Sequence, residues 1–192
     1  VTVYRLVIAT IAVLTPINDV RAQPVREIPA ATRAAARDMF RAFAEPFIGP
    51  WDCEIVEHDA DGKVVWSDRQ KREFRFSMHR HMMEERATLR TDQGVEYEGG
   101  LHLTTYDAGK GSIVQHGYWL PTQADPLSRL EGKVRGKGFD GSMRIRTNGG
   151  DDQRPLVIRW ISADQWVLEV TDDGPRGTYL RERLTYTRRK PN

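Results

Sequence analysis

The sequence contains a single cysteine, Cys53, so no disulfide can form within the chain and stability has to come from packing. Asp52 and Glu54 flank it, whereas a reactive thiolate needs a basic neighbour, so Cys53 reads as a half-buried strand residue. An excess of charge of one sign is also missing. The 29 basic and 27 acidic side chains are interspersed and leave a formal net charge of +2, which offers no concentrated field to a phosphate backbone. Nucleic acid is not an expected partner, and Arg188-Arg189-Lys190 reads as a solvated strand end. No apolar run approaches the roughly 20 residues of a membrane-spanning helix. The G-x-S-x-G elbow, H-E-x-x-H, the P-loop and a G-x-G-x-x-G after a strand are all absent, as is a C-x-x-C-H haem attachment site. No cofactor is expected.

What is present suits one globular domain: 192 residues, 39% hydrophobic and 29% charged. Residues 1–22 read as a signal peptide, with Arg5 as the basic region, Leu6–Leu14 as the apolar core and Val20-Arg21-Ala22 as the cleavage site. Cleavage would leave no stable membrane anchor and a periplasmic or secreted protein. Residues 23–46 read as a linker followed by a short amphipathic helix over 31–44. Ala36, Met39, Phe40 and Phe43 form its stripe, Thr32 its N-cap, and Pro46 its end.

From Phe47 the apolar period changes to two. The spacing predicts strands at about 50–58, 63–77, 81–90, 95–106, 112–120, 128–136, 142–148, 155–162, 165–172 and 178–189. Asp/Gly-rich turns separate them, including Gly138-Phe139-Asp140-Gly141, and the longer loops are 121–126 and 149–155. About ten strands in sequential hairpins expose two edges unless the sheet closes. The expected fold over 47–192 is therefore all-β, a single antiparallel up-and-down barrel.

Several short motifs occur in order along this stretch: Gly49-Pro50-Trp51, Tyr97-Glu98-Gly99, Tyr106-Asp107, Trp119, and Leu184-Thr185-Tyr186-Thr187-Arg188. In this the chain resembles a family of uncharacterised bacterial lipocalin-like (calycin-type) domains. The resemblance implies that Trp51 closes one barrel end beneath a basic residue of the last strand, which here is Arg188. The hairpin at Met78-His79-Arg80-His81 departs from the pattern by lacking a glycine.

A barrel of this size can hold a small ligand, with walls drawn from alternate residues. The more apolar face of the last strand carries Leu180, Glu182, Leu184, Tyr186 and Arg188, and we take it as inward. Trp51, Met83, Glu85, Tyr97, Trp119 and Trp160 are inward by the same logic. Ligand-binding candidates are Trp119, Glu182, Glu85, Tyr97, Trp160 and Tyr186, with Ile113, Gln115 and Gly117 leaving space beside Trp119. His79, His81 and Glu85 would form a metal site only on a continuous strand, and a hairpin there places the histidines in water. His102 and His116 read as a cross-strand pair on the outer surface. The expected function is binding of a small apolar or amphipathic molecule. The alternatives are an isomerase- or cyclase-type enzyme using inward Glu and His, and a partner-binding module using the helix. Oligomeric state is left open. Sequencing the exported protein should give Gln23 as its N-terminus, whereas residues 1–22 retained in a membrane fraction would point to an anchor.

Overall fold

The computed structural model describes residues 29–119, 128–135, 138–147 and 150–190; the expected leader, the first part of the linker and the expected loop 121–126 lie outside the described residues. Period-two alternation becomes ten strands: β1 (Gly49–His58), β2 (Val64–Ser77), β3 (Met82–Arg90), β4 (Glu96–Asp107), β5 (Ser112–Trp119), β6 (Ser128–Arg135), β7 (Gly138–Thr147), β8 (Gly150–Ser162), β9 (Gln165–Gly174) and β10 (Gly177–Arg188). Each pairs antiparallel with the next. β1 also pairs with β10, with Trp51 opposite Arg188 and Ile55 opposite Leu184, which closes the barrel and removes both edges.

Two expected breaks are strand instead. Gly138–Gly141 is the start of β7, because Gly141 lies opposite Gly132 and a β-carbon on either would press on the Phe139 ring. These glycines serve close packing there and not a turn. Most of the expected loop 149–155 is the start of β8, where Arg154 forms ion pairs with Asp152 and Asp172. Dense charge reads as loop because one of its partners, Asp172, comes from another strand, β9.

The helix α1 (Ala30–Ala44) begins one residue before the expected start. Pro29 occupies the N-cap position with no side-chain cap, so Thr32 does not cap it. A 3₁₀ turn over Glu45–Phe47, with Pro46 inside, leads into β1. Phe40, Ala44 and Phe47 are buried in the main core, while Met39 of the same stripe is 46% exposed. Phe43 lies against Phe139 of β7, and Phe47 against Phe74 of β2, Trp160 of β8 and Trp166 of β9. One short segment touching strands on opposite sides of the barrel must lie across its end, and the helix is a plug.

Trp51 anchors that end. It is fully buried, and its indole N–H donates to the Phe47 carbonyl at 2.6 Å. The Arg188 guanidinium carbon stands 4.2 Å from the ring centroid, and its nitrogens donate to the Ile48 and Pro46 carbonyls. The Met78–Arg80 turn, which lacks a glycine, places Met78, His79 and Arg80 at φ of 46°, 55° and 66°. Left-handed backbone at non-glycine residues costs of order 1–3 kcal/mol each. Trp51→Ala should lower stability by about 3–5 kcal/mol; an unchanged denaturant midpoint would refute the anchoring role.

Candidate functional site

The face of the sheet that carries buried Trp51, Cys53 and Ile55 is the interior, and strand register extends it around the barrel. Its middle level divides into two arcs. Gln70 and Arg72 of β2, Glu85 of β3, His102 and Thr104 of β4 and Gln115 of β5 make one side polar. Leu130 of β6, Met143 of β7, Leu156 and Ile158 of β8, Leu168 and Val170 of β9 and Leu184 of β10 make the other side apolar.

The polar arc centres on Glu85, which is 4% exposed. Arg72, 2% exposed, donates from Nη1 to Glu85 Oε1 at 2.7 Å and from Nη2 to the Gln70 side-chain oxygen. His102 Nδ1 lies 3.0 Å from Glu85 Oε2. Gln115 donates to the same oxygen at 3.4 Å and to Thr104 Oγ1 at 3.1 Å, and the Tyr186 hydroxyl donates to Oε1 at 3.4 Å. Burial alone would raise the carboxyl, but His102 and Arg72 outweigh it and hold Glu85 down to about 2. Burial pushes the Cys53 thiol up to about 12 against the opposing Arg72 charge, which makes it an inert packing group.

Toward the unplugged end the lining changes again. Glu182 of β10 faces Glu57 of β1 in register, and Glu57 faces Trp66 of β2. Burial, and then the Glu57 charge, raise Glu182 against the opposing pull of Arg154, Arg181 and Arg72. Leu89 pairs with Tyr97 beyond a β-bulge, so Tyr97 joins this rim, exposed like Trp66.

The six ligand-binding candidates therefore occupy three levels. Glu85 and Tyr186 belong to the central network, with Tyr186 also stacked 3.6 Å from Trp166. Glu182 and Tyr97 lie toward the open rim. Trp160 packs on Phe47 and Trp51 in the plugged end. Trp119 pairs with Gly100, at an inward position of β5, and its side chain lies outside the described residues. Two readings need correction. His102 pairs with Gly117, and His116 with Leu103, so the two histidines point to opposite faces and form no pair. Gly117 also leaves no gap, since a β-carbon there would collide with Ser128 Oγ and His102 Cδ2. His79 and His81 sit exposed at the β2–β3 turn while Glu85 is buried. An arginine of a neighbouring strand is the expected partner of Glu85, and register identifies it as Arg72, which lies in the charged run Lys71-Arg72-Glu73. Its parity with Phe74 and Phe76 was the available signal.

No protein-family model matches the chain, and no curated protein matches it. Among solved structures it is similar to a redesigned β-barrel, with 10% identity over 77% of this chain and 95% of that one and a TM-score of 0.37. A de novo designed fluorescence-activating β-barrel shares 16% identity over 77% and 96%, with a TM-score of 0.34. Lobster apocrustacyanin A1 shares 10% identity over 83% and 69%, with a TM-score of 0.35. Barrel closure rests on the chain's own strand pairing, independently of these likenesses.

The two interior carboxylates should respond oppositely to pH. Glu85 titrates at about 2 in the fold, below the roughly 4.3 of an unfolded glutamate. Its stabilisation is thus complete above about pH 5 and lost as pH falls toward 2. Glu85→Gln should cost about 3–5 kcal/mol at pH 7 by leaving Arg72 uncompensated, with the gap closing in acid. Glu182 is raised, so its ionisation opposes folding as pH rises above its unfolded value. Glu182→Gln should match or exceed wild type at pH 7 and equal it near pH 3. Denaturant midpoints across pH check both, and parallel profiles for the two variants would contradict the assignment.

Proposed function

We propose that the protein is an exported, lipocalin-like barrel that binds a small amphipathic molecule inside. The observation that carries this is the division of the interior into a polar β2–β5 arc and an apolar β6–β10 arc. A molecule lying between them presents its polar end to the Arg72, His102 and Gln115 side and its apolar part to Leu130, Leu156 and Leu168. Arrangements of this kind, apolar walls with a few placed polar groups, are what small-molecule sites require. Entry is from the end opposite the helix, between Trp66, Tyr97 and Glu182. The partner-binding reading of α1 loses its basis, because Phe40, Phe43 and Phe47 are spent on the plug. Export belongs to the same proposal and rests on the leader-like residues 1–22.

The test is titration with anilinonaphthalene sulfonate, an amphipathic probe, together with native mass spectrometry of the protein as purified. Saturable quenching of tryptophan fluorescence is expected. Leu168→Trp, which places a larger side chain on the apolar wall, should weaken it at least tenfold, or about 1.4 kcal/mol. Glu182→Gln should alter the affinity of a polar-headed probe and spare a purely apolar one. A folded protein with no saturable quenching and no retained small molecule would overturn the proposal.

A further inference from the structure

Gln115 sits at the seam between the two arcs of the interior. Midway along β5, it lies opposite Thr104 on the polar side and Leu130 on the apolar side. Its amide nitrogen is turned wholly into the polar arc, donating to Thr104 Oγ1 at 3.1 Å and to Glu85 Oε2 at 3.4 Å. An ionised carboxylate only accepts hydrogen bonds, so the contact with Glu85 fixes which way the amide points: nitrogen toward Glu85, oxygen away from it. Among the described residues no group donates to Gln115 Oε1, and that oxygen is accessible. Inside a closed sheet, access at this depth has to come from the lumen. Met143, Leu168 and Leu184, all on the interior face, are likewise only half-buried, so lumen space borders the apolar arc as well. The seam thus offers an unused hydrogen-bond acceptor beside an apolar wall.

Resting on the interior binding proposed above, we infer that Gln115 sets the specificity of that site, and that the ligand is an uncharged amphiphile whose polar end donates a hydrogen bond, as an alkyl alcohol does. The hydroxyl donates to Gln115 Oε1 while the chain lies along Leu130, Met143 and Leu168. An ether of the same length offers only an acceptor and sets oxygen against oxygen. Sites built to hydrogen-bond a hydroxyl discriminate against an analogue that lacks it, because the protein's own polar group is then left without a partner. A carboxylate fares worse still. It too can only accept, and at Gln115 it brings a second negative charge toward Glu85, whose Oε2 lies 3.4 Å from the amide nitrogen. Nearer the mouth, Glu57 and Glu182 face each other across β1 and β10 and oppose the entry of an anion in the same way. The partners of Gln115 therefore leave room for one kind of polar end, an uncharged donor.

The test is displacement of bound anilinonaphthalene sulfonate from the whole protein by octanol, methyl heptyl ether and octanoate, which are close in length and differ in what the polar end offers. Octanol should displace the dye at a concentration about 3–10-fold lower than the ether requires, and octanoate should be the weakest of the three. This comparison uses the wild-type protein and needs no variant to fold. Gln115→Met keeps an unbranched side chain of similar length without the amide. It should still take up dye saturably, and should bring octanol and the ether to within about twofold of each other. Leu168→Trp, on the apolar wall, should weaken octanol and the ether alike and leave their ratio unchanged, which separates the wall from the residue that reads the polar end. Equal displacement by octanol and the ether in the wild type, stronger displacement by octanoate than by octanol, displacement by none of the three, or an alcohol preference that survives Gln115→Met would overturn this inference and leave the binding proposal standing. A folded protein with neither saturable dye binding nor a retained small molecule would remove both.

Discussion

A carboxylate buried inside a barrel has to be paired, and the interior of this protein is arranged around meeting that demand at Glu85. Its partners come from β2, β4, β5 and β10, so one side chain of β3 ties together strands that are distant in sequence and lie around the lumen. Removing two charges from water costs several kcal/mol per ion before any interaction offsets it. Good geometry on every lone pair is what makes the arrangement tolerable. It also penalises alternatives: slipping β2 or β3 by one residue would turn Arg72 or Glu85 outward and leave its partner buried and uncompensated.

The rest of the interior follows from where that network sits. At one end the helix and its 3₁₀ turn deliver Phe40, Phe43 and Phe47 into an aromatic layer with Trp51, Trp160 and Trp166. Arg188 ties this layer to the helix exit by bonding the Pro46 and Ile48 carbonyls while resting on Trp51. Water is excluded there, which deepens the burial of Tyr186 and raises its hydroxyl far above its ordinary range. At the other end Glu57, Glu182, Trp66 and Tyr97 are exposed or half-buried, as a rim would be. The barrel therefore has a dry floor, a polar belt on one wall and a rim rich in carboxylates and aromatics.

Outside, the sheet is laced by charge pairs such as Arg86 with Glu98, Lys71 with Glu96 and Arg75 with Glu84. Each such exposed pair contributes about 0–1 kcal/mol, so the exterior supplies solubility while the interior decides stability. The strained Met78–Arg80 turn sits next to the plugged end, where β2 passes to β3.

The sequence alone determined the ten strands, their antiparallel order and closure, and the helix ahead of them. Those properties are local: a period of two, turn residues at regular spacing, and an Ala-rich stretch with one apolar stripe. Its errors came where one residue type has two uses. Gly138 and Gly141 look like a turn but allow Phe139 to lie close, and the charged start of β8 looks like loop until Asp172 is seen opposite Arg154. Only the tertiary structure decided which interior residues meet. Cross-strand register set His102 against Glu85 and turned His116 outward, and bulges in β3–β4 and β9–β10 reset parity near Tyr97 and Glu182. Register depends on the closed sheet as a whole, which no stretch of sequence carries by itself.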